Sequence, residues 1–225
     1  MGIISLEKHN NLFWLGRYAE RALTSIKSFS KYFDSSIDSD LYNYKTYCNL
    51  VGITSECYTK ENFVEKYLFD ASNPDSIYSN LFRAFENAVV LRDLIGSETL
   101  AYIQMALDRL GNYDKDISPL LQTQEVIDYL YAFWGTADDY VESEMSRTIM
   151  KCGRYVERVD LYIRLSYSDN EIEKELRKLN RRLMRLEGDG ANSFSSTINR
   201  ITEEKNYLKN KYEIISYLNK ITEEY

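Results

Sequence analysis

The sequence predicts an all-α protein: a multi-helix bundle over residues 1–168, followed by a long antiparallel helical hairpin over 169–225. Three observations predict this. Only two prolines and nine glycines interrupt 225 residues, whereas an all-β chain needs a turn signal every 8–12 residues or so. Apolar residues recur at spacings of three and four through most of the chain. The hexapeptide Gly-Arg-Tyr-x-Glu-Arg occurs twice, at Gly16–Arg21 and Gly153–Arg158, each time inside a helical pattern. Such self-similarity points to an internal duplication or to one chemical requirement met twice.

Leu12, Leu15, Ala19, Ala22, Ile26, Phe29 and Phe33 give a first amphipathic helix over about residues 5–35. The polar run Asp34–Asp40 is expected to break it. Leu41–Val51 reads as a second helix and Lys60–Phe69 as a shorter third. Asn73-Pro74 is a turn and helix start. The fourth helix runs through Ile77, Leu81, Ala84, Ala88 and Leu91 and ends at Gly96-Ser97. Ser97 and Glu98 start a fifth, which reaches Leu110. Pro119 opens a segment to about Phe133, Gly135 is expected to break it, and a long helix follows from about Ala137 to Ser166. Beyond residue 170 the stripes Ile172, Leu176, Leu179, Leu183, Leu186 and Phe194, Ile198, Ile201, Leu208, Tyr212, Ile215 have heptad spacing. The polar link Glu187–Ser193 makes the turn between the two arms, with Asn192 or Ser193 as N-cap of the second.

Composition narrows the function. A net charge of −7 argues against general nucleic-acid binding. The N-terminus lacks the apolar stretch of a signal peptide, and no run approaches membrane-span length, so a cytoplasmic protein without a membrane partner is expected. Three cysteines, Cys48, Cys57 and Cys152, lack CxxC spacing and suit a reducing compartment. With His9 as the single histidine, no His-rich metal site exists, and neither a metal nor a cofactor is expected. Twenty tyrosines reflect compositional bias in the main, with some expected at helix seams.

The charged groups of the repeat are the first candidate site. On a helical wheel Arg17 and Arg21 point away from the apolar stripe through Ala19 and Ile26, with Glu20 to one side. Arg154 and Arg158 lie opposite Val156, Val159 and Ile163 in the same way, with Glu157 to one side. Two solvated faces with weak local pairs would satisfy this pattern. So would one shared, largely buried centre, with Arg17–Glu157 and Arg154–Glu20 as reciprocal pairs and surplus arginine free for a carboxylate or phosphate. The repetition favours the shared centre. Gly16 and Gly153 would allow close helix approach, at a helix-propensity cost of about 1 kcal/mol each.

A second polar cluster is Asn73, Arg83, Glu86, Asn87, Arg92, Asp93 and Glu98, where Arg83, Glu86 and Asn87 share a helix face. It reads equally as a buried network joining helices or as a ligand site. Asp70 and Asp75 could cap or bind cations, and capping is expected. No nucleophile–base pair, phosphate-cradling glycine loop or zinc spacing is present, although any two carboxylates can in principle serve as acid and base. Arg177, Lys178, Arg181, Arg182 and Arg185 form a basic face, expected to flank the hairpin and pair with Glu203 and Glu204.

The two Glu-Arg copies resemble the signature of the bacterial alpha-E domain, a helical family. Asn73-Pro74-Asp75-Ser76-Ile77 is similar to the family's Asn-Pro-x-Ser-Ile, and Arg83–Ala88 with Arg92-Asp93 to its Ala-Arg-Glu-Asn-Ala-Arg and Arg-Asp run. Glu98, Gly135 and Asp138 keep the family spacing. Phe85 and Val89 replace two arginines of that run, Leu100 replaces a tryptophan, and Val141, Ser143 and Glu144 stand where Met-x-Arg-Asp is usual. The resemblance covers about residues 5–167. It implies a partner more than a reaction: a circularly permuted ATP-grasp ligase, with a transglutaminase-like protein as a further companion, in a peptide-forming or peptide-tagging system. The chain is then expected to be a non-catalytic partner or substrate-presenting module of that ligase. The alternatives are an enzyme using Glu20, Glu157 or Glu86 as acid or base, and a scaffold that forms a homodimer through its heptads.

Overall fold

A computed structural model describes residues 5–38, 44–56, 58–186, 189–204, 207 and 210–224. Among them the chain forms helices and no strand. α1 (Leu6–Asp38) is the longest. It continues through the polar residues 34–38 that were expected to end it, because each further residue of a nucleated helix adds a backbone bond. α2 (Tyr44–Val51) ends where Gly52, at φ +79°, and Ile53 both donate their backbone N–H to the carbonyl of Cys48. The start expected at Leu41 lies outside the described residues. α3 (Phe63–Leu68) is shorter than its pattern suggests.

α4 (Ile77–Val90) is capped by Ser76, whose hydroxyl accepts from the Ser79 N–H. The turn before it is tied by Asn73, whose side chain donates to the Tyr58 hydroxyl and the Lys66 carbonyl and accepts from the Asp75 N–H. A separate short helix, α5 (Arg92–Ile95), precedes α6 (Ser97–Gly111).

α7 (Pro119–Tyr140) corrects an expectation: it runs straight through Gly135. A side chain at Gly135 would meet nothing within 4 Å, so the residue marks neither a turn nor a close approach. The break falls at residues 141–143, and Ser143 caps α8 (Glu144–Arg164), which therefore begins later than Ala137. α9 (Asp169–Leu183) opens on a capping box, Ser168 with Glu171.

The last part also departs from expectation. α10 (Asp189–Glu204) starts early enough to place Asn192 and Ser193 inside it rather than at its cap, and α11 (Lys211–Glu223) is a separate helix. The second hairpin arm is thus two helices. On α11, Tyr212, placed on the apolar stripe by its spacing, is 85% exposed, and Ile214, Leu218 and Ile221 are buried, while Leu208 of that stripe lies outside the described residues.

α1 is the axis of the molecule. It packs along α8 on one side and α4 on another, and touches α7. α6 joins α4 to α7, α9 lies on α8, α10 on α9, and α11 returns to α8. Leu12, Leu15, Ala19, Ala22, Ile26 and Phe29 of α1 meet Met150, Val156, Val159 and Ile163 of α8 in one continuous core. Tyr47, Tyr67 and Phe63 ring Phe29 with edge and tilted contacts. No helix among the described residues is long and apolar enough to cross a membrane.

Candidate functional site

The centre of the protein is the place where α1 crosses α8, and glycine determines how close they come. A Cβ at Gly16 would sit 2.0 Å from the Met150 carbonyl oxygen; one at Gly153 would sit 2.0 Å from that of Phe13. Both contacts are with backbone, which cannot turn aside as a side chain can. Backbones this near bring the flanking Glu-Arg groups of each helix within reach of the other.

The result is reciprocal. Oε2 of Glu157 accepts from Nε and Nη2 of Arg17 at 2.9 and 2.6 Å, and its Oε1 from Nε of Arg21 at 2.5 Å. Oε2 of Glu20 accepts from Nε of Arg154 at 3.1 Å and Nη2 of Arg158 at 2.8 Å, while its Oε1 takes Nε of Arg158 at 2.6 Å and the Thr24 hydroxyl at 2.8 Å. Each glutamate, 1% exposed, is held by two arginines of the other helix. Only charge-assisted bonds of this kind let a carboxylate sit in a protein interior.

Aromatic rings and later helices enclose the arginines. Arg17 lies over Trp14 with 5.1 Å to the ring centroid, and Arg154 over Trp134 with 4.1 Å. Nη1 of Arg17 donates to the hydroxyl of Thr222 on α11 at 2.8 Å. Nη1 of Arg158 donates to Glu175 of α9 at 3.3 Å, and Glu175 also accepts from Lys178 at 2.7 Å. Burial alone would raise the Glu157 carboxyl, but the guanidiniums of Arg21 and Arg17 override it and hold the carboxyl below its ordinary range. Glu157 in turn, with help from Asp160, raises Arg21 against the effect of its own burial. Burial works against the Arg158 charge too, yet Glu20 and Glu175 raise it further.

Two cavities open on either side of the crossing. One, of about 280 Å³, is lined by Trp14, Arg17, Tyr18, Arg21, Pro74, Asp75, Asn80, Arg83 and Glu157. The other, of about 130 Å³, is lined by residues that include Glu20, Lys27, Tyr131, Arg154, Arg158 and Tyr162.

The seven residues of the second cluster do not converge. Asn73 is a loop tie. Nη1 of Arg83 donates to the Pro74 carbonyl at 3.0 Å, and its guanidinium lies over Tyr18 of α1, so Arg83 joins the first centre. Asn87 donates back to the Arg83 carbonyl within its own helix. Glu86, Arg92, Asp93 and Glu98 are exposed. Arg92 bonds Ser97, Asp93 takes Lys8, and Glu98 meets Tyr140. The seven thus form neither one buried network nor one ligand site: Glu86 lies on the outer face of α4, whose apolar face packs on α1, and Arg92, Asp93 and Glu98 lie exposed on α5 and α6. Neither aspartate expected to cap does so: Asp70 accepts from Ser72 in a local turn, and Ser76 rather than Asp75 caps α4.

Among the described residues the basic face of α9 is tied within the chain to acids other than Glu203, and the Glu204 side chain lies outside them. Arg177 pairs with Glu173, Lys178 with Glu175, and Arg182 and Arg185 with Glu144 at the start of α8. Burial pushes the thiols of Cys48 and Cys152 up, to about 11 and about 12. Both stay protonated and are poor nucleophiles. Cys57 lies outside the described residues. Among those residues no cluster of three or more His, Cys, Asp or Glu could hold a metal ion.

Trp14, Trp134, Glu175 and Thr222 belong to the centre and were not singled out from the sequence. Tyr18 could have been, since it is part of the repeated hexapeptide; the others carry no local signal and reach the centre through tertiary packing.

No curated protein and no solved structure matches the chain. The family model for Alpha-E, described as a predicted alpha-helical domain with a conserved ER motif, matches residues 9–178. That span holds both Glu-Arg copies and every residue of the crossing, and ends within α9. With three quarters of its length matched and an all-helical fold organised by its two Glu-Arg segments, the chain belongs to the Alpha-E family.

Proposed function

We propose that this protein is a non-catalytic helical module of the cytoplasm that works with an ATP-grasp-type amide ligase, as its partner or by presenting its substrate. A transglutaminase-like protein is a further candidate companion. The observation that carries the non-catalytic reading is the saturation of both glutamates. An acid or base must exchange a proton with a substrate near neutral pH. Glu157 is buried, accepts three arginine hydrogen bonds and has its carboxyl held low, so its oxygens are occupied and it gains no proton in that range. Glu20 is buried under three arginine bonds and the Thr24 hydroxyl. The choice of an ATP-grasp ligase rests on the family resemblance.

The test is ATP turnover and amide formation by a circularly permuted ATP-grasp ligase encoded beside this chain, with and without it. Stimulation of the ligase by a chain inert on its own is the expected result. Activity of the isolated chain that Glu20→Gln abolishes would overturn the reading in favour of an enzyme. The homodimeric scaffold has less in its favour, because the heptad positions Ile172, Leu176, Leu179, Leu183, Ile198 and Ile201 are buried within the chain itself.

A further inference from the structure

The reciprocal centre is symmetric in its glutamates but not in what completes its arginines. Arg21 and Arg158 hold equivalent places in the two hexapeptides. Arg158 gives Nε and Nη2 to Glu20 and its remaining Nη1 to a second carboxylate, Glu175, delivered by α9. Arg21 gives Nε to Glu157 and, among the described residues, makes no other hydrogen bond. Its side chain is 40% exposed, against 14% for Arg158. Arg21 also borders the 280 Å³ cavity. So one half of the centre is closed by the chain's own carboxylate, and the equivalent place in the other half is open.

We propose that this cavity binds a carboxylate, gripped by Arg21 and Arg83. Three features select that chemistry. The lining carries three guanidiniums, Arg17, Arg21 and Arg83, against two carboxylates, Asp75 and Glu157, a surplus of one positive charge that a monoanion neutralises. The planar guanidinium fork matches a carboxylate in two parallel hydrogen bonds. Trp14 and Tyr18, stacked with 5.3 Å between ring centroids, wall the cavity and offer apolar surface to the carbon next to the carboxyl group, which an inorganic anion would leave unused. Arg83 is held in place from below by the Pro74 carbonyl and lies over Tyr18, so its direction is established before a ligand arrives. A free organic acid and an acidic residue or terminus of a peptide carry the same group.

This inference rests on the chain being a binding module, but its test needs no ligase. The intact protein is titrated by calorimetry with N-acetylglutamate, its neutral isostere N-acetylglutamine, inorganic phosphate and a short peptide ending in glutamate. Saturable binding of N-acetylglutamate or the peptide is expected, with N-acetylglutamine and phosphate weaker by roughly tenfold or more. A peptide that binds well above the free acid identifies a peptide ligand; equal affinities identify a small acid. Arg83→Gln is expected to weaken binding by roughly tenfold at an unchanged melting temperature, since among the described residues Arg83 hydrogen-bonds a loop carbonyl and a neighbouring amide oxygen and no buried carboxylate. If that variant melts early, Arg83→Lys, which keeps the charge and loses the fork, replaces it. No saturable carboxylate binding, tighter binding of phosphate, or an affinity indifferent to Arg83 would overturn the proposal. Such a failure leaves ligase stimulation to stand or fall separately.

Discussion

At the residue scale, the centre is a set of buried charges in which each member is needed by the others. Assembling such a set gains little net stability, since desolvation offsets attraction, but removing one partner strands the rest. Glu20→Ala leaves Arg154 without its carboxylate and Arg158 with Glu175 alone. It should cost about 3–5 kcal/mol and lower the melting temperature by roughly 10 °C. Arg154→Ala should have an effect of the same kind. Because the two residues share one bond, the double variant should cost less than the sum of the singles, readable by denaturant titration of all four proteins. Additive, near-zero effects would mean that the pairs behave as solvated ones, worth about 1 kcal/mol at most.

Acid should act through the same groups. The folded-state value of Glu157 lies below the ordinary glutamate value of 4.5. A group depressed in this way contributes stability that is fully present above its unfolded value and is lost as pH falls through its folded value. The melting temperature of the parent should therefore fall below about pH 4.5, whereas Glu157→Gln should be destabilised at pH 7 and should converge on the parent in acid. A gap between the two that stays constant from pH 7 to pH 3 or so would show that the carboxyl is not depressed.

At the scale of the element, the α1–α8 crossing depends on two missing side chains. Alanine is the better helix former by about 1 kcal/mol, so on an exposed face Gly153→Ala would stabilise α8. Here the added methyl meets the Phe13 carbonyl at 2.0 Å. The helices must separate, and the bonds of Arg17 and Arg154 across the gap lengthen together. A loss of about 3 kcal/mol is expected for Gly153→Ala, and similarly for Gly16→Ala. Gly135→Ala supplies the control: a Cβ there meets nothing, and the variant should be as stable as the parent or more so. A thermal melt of the three variants separates a packing role from mere propensity.

At the scale of the whole molecule, α9 and α11 complete the centre as well as extend the bundle. Glu175 supplies a carboxylate to Arg158, Thr222 a hydroxyl to Arg17, and the apolar stripe of α9 covers α8. A chain ending at residue 168 should thus melt well below the parent and expose the apolar face of α8 to a hydrophobic dye. An unchanged melting temperature would show that residues 169–225 fold and function apart from the bundle.

The sequence by itself determined the all-helical class, the order of most elements and the two Glu-Arg segments, because three- and four-residue periodicity and a repeated hexapeptide are local signals. It placed Arg17, Glu20, Arg154 and Glu157 as candidates for reciprocal pairs and the two glycines as points of approach. What it could not give were the ends of helices whose stop signals compete with packing: Gly135 stays helical, residues 34–38 extend α1, and the second hairpin arm divides. Nor could it say which polar residues converge. Arg83 and Glu86 are three residues apart on one helix, yet Arg83 reaches the centre over Tyr18 and Glu86 is exposed. Tertiary structure alone decided that Glu175 would close one half of the centre and that the Arg21 half would stay open, because those contacts join α8 to α9 and α1 to α4 at geometries that no local periodicity encodes.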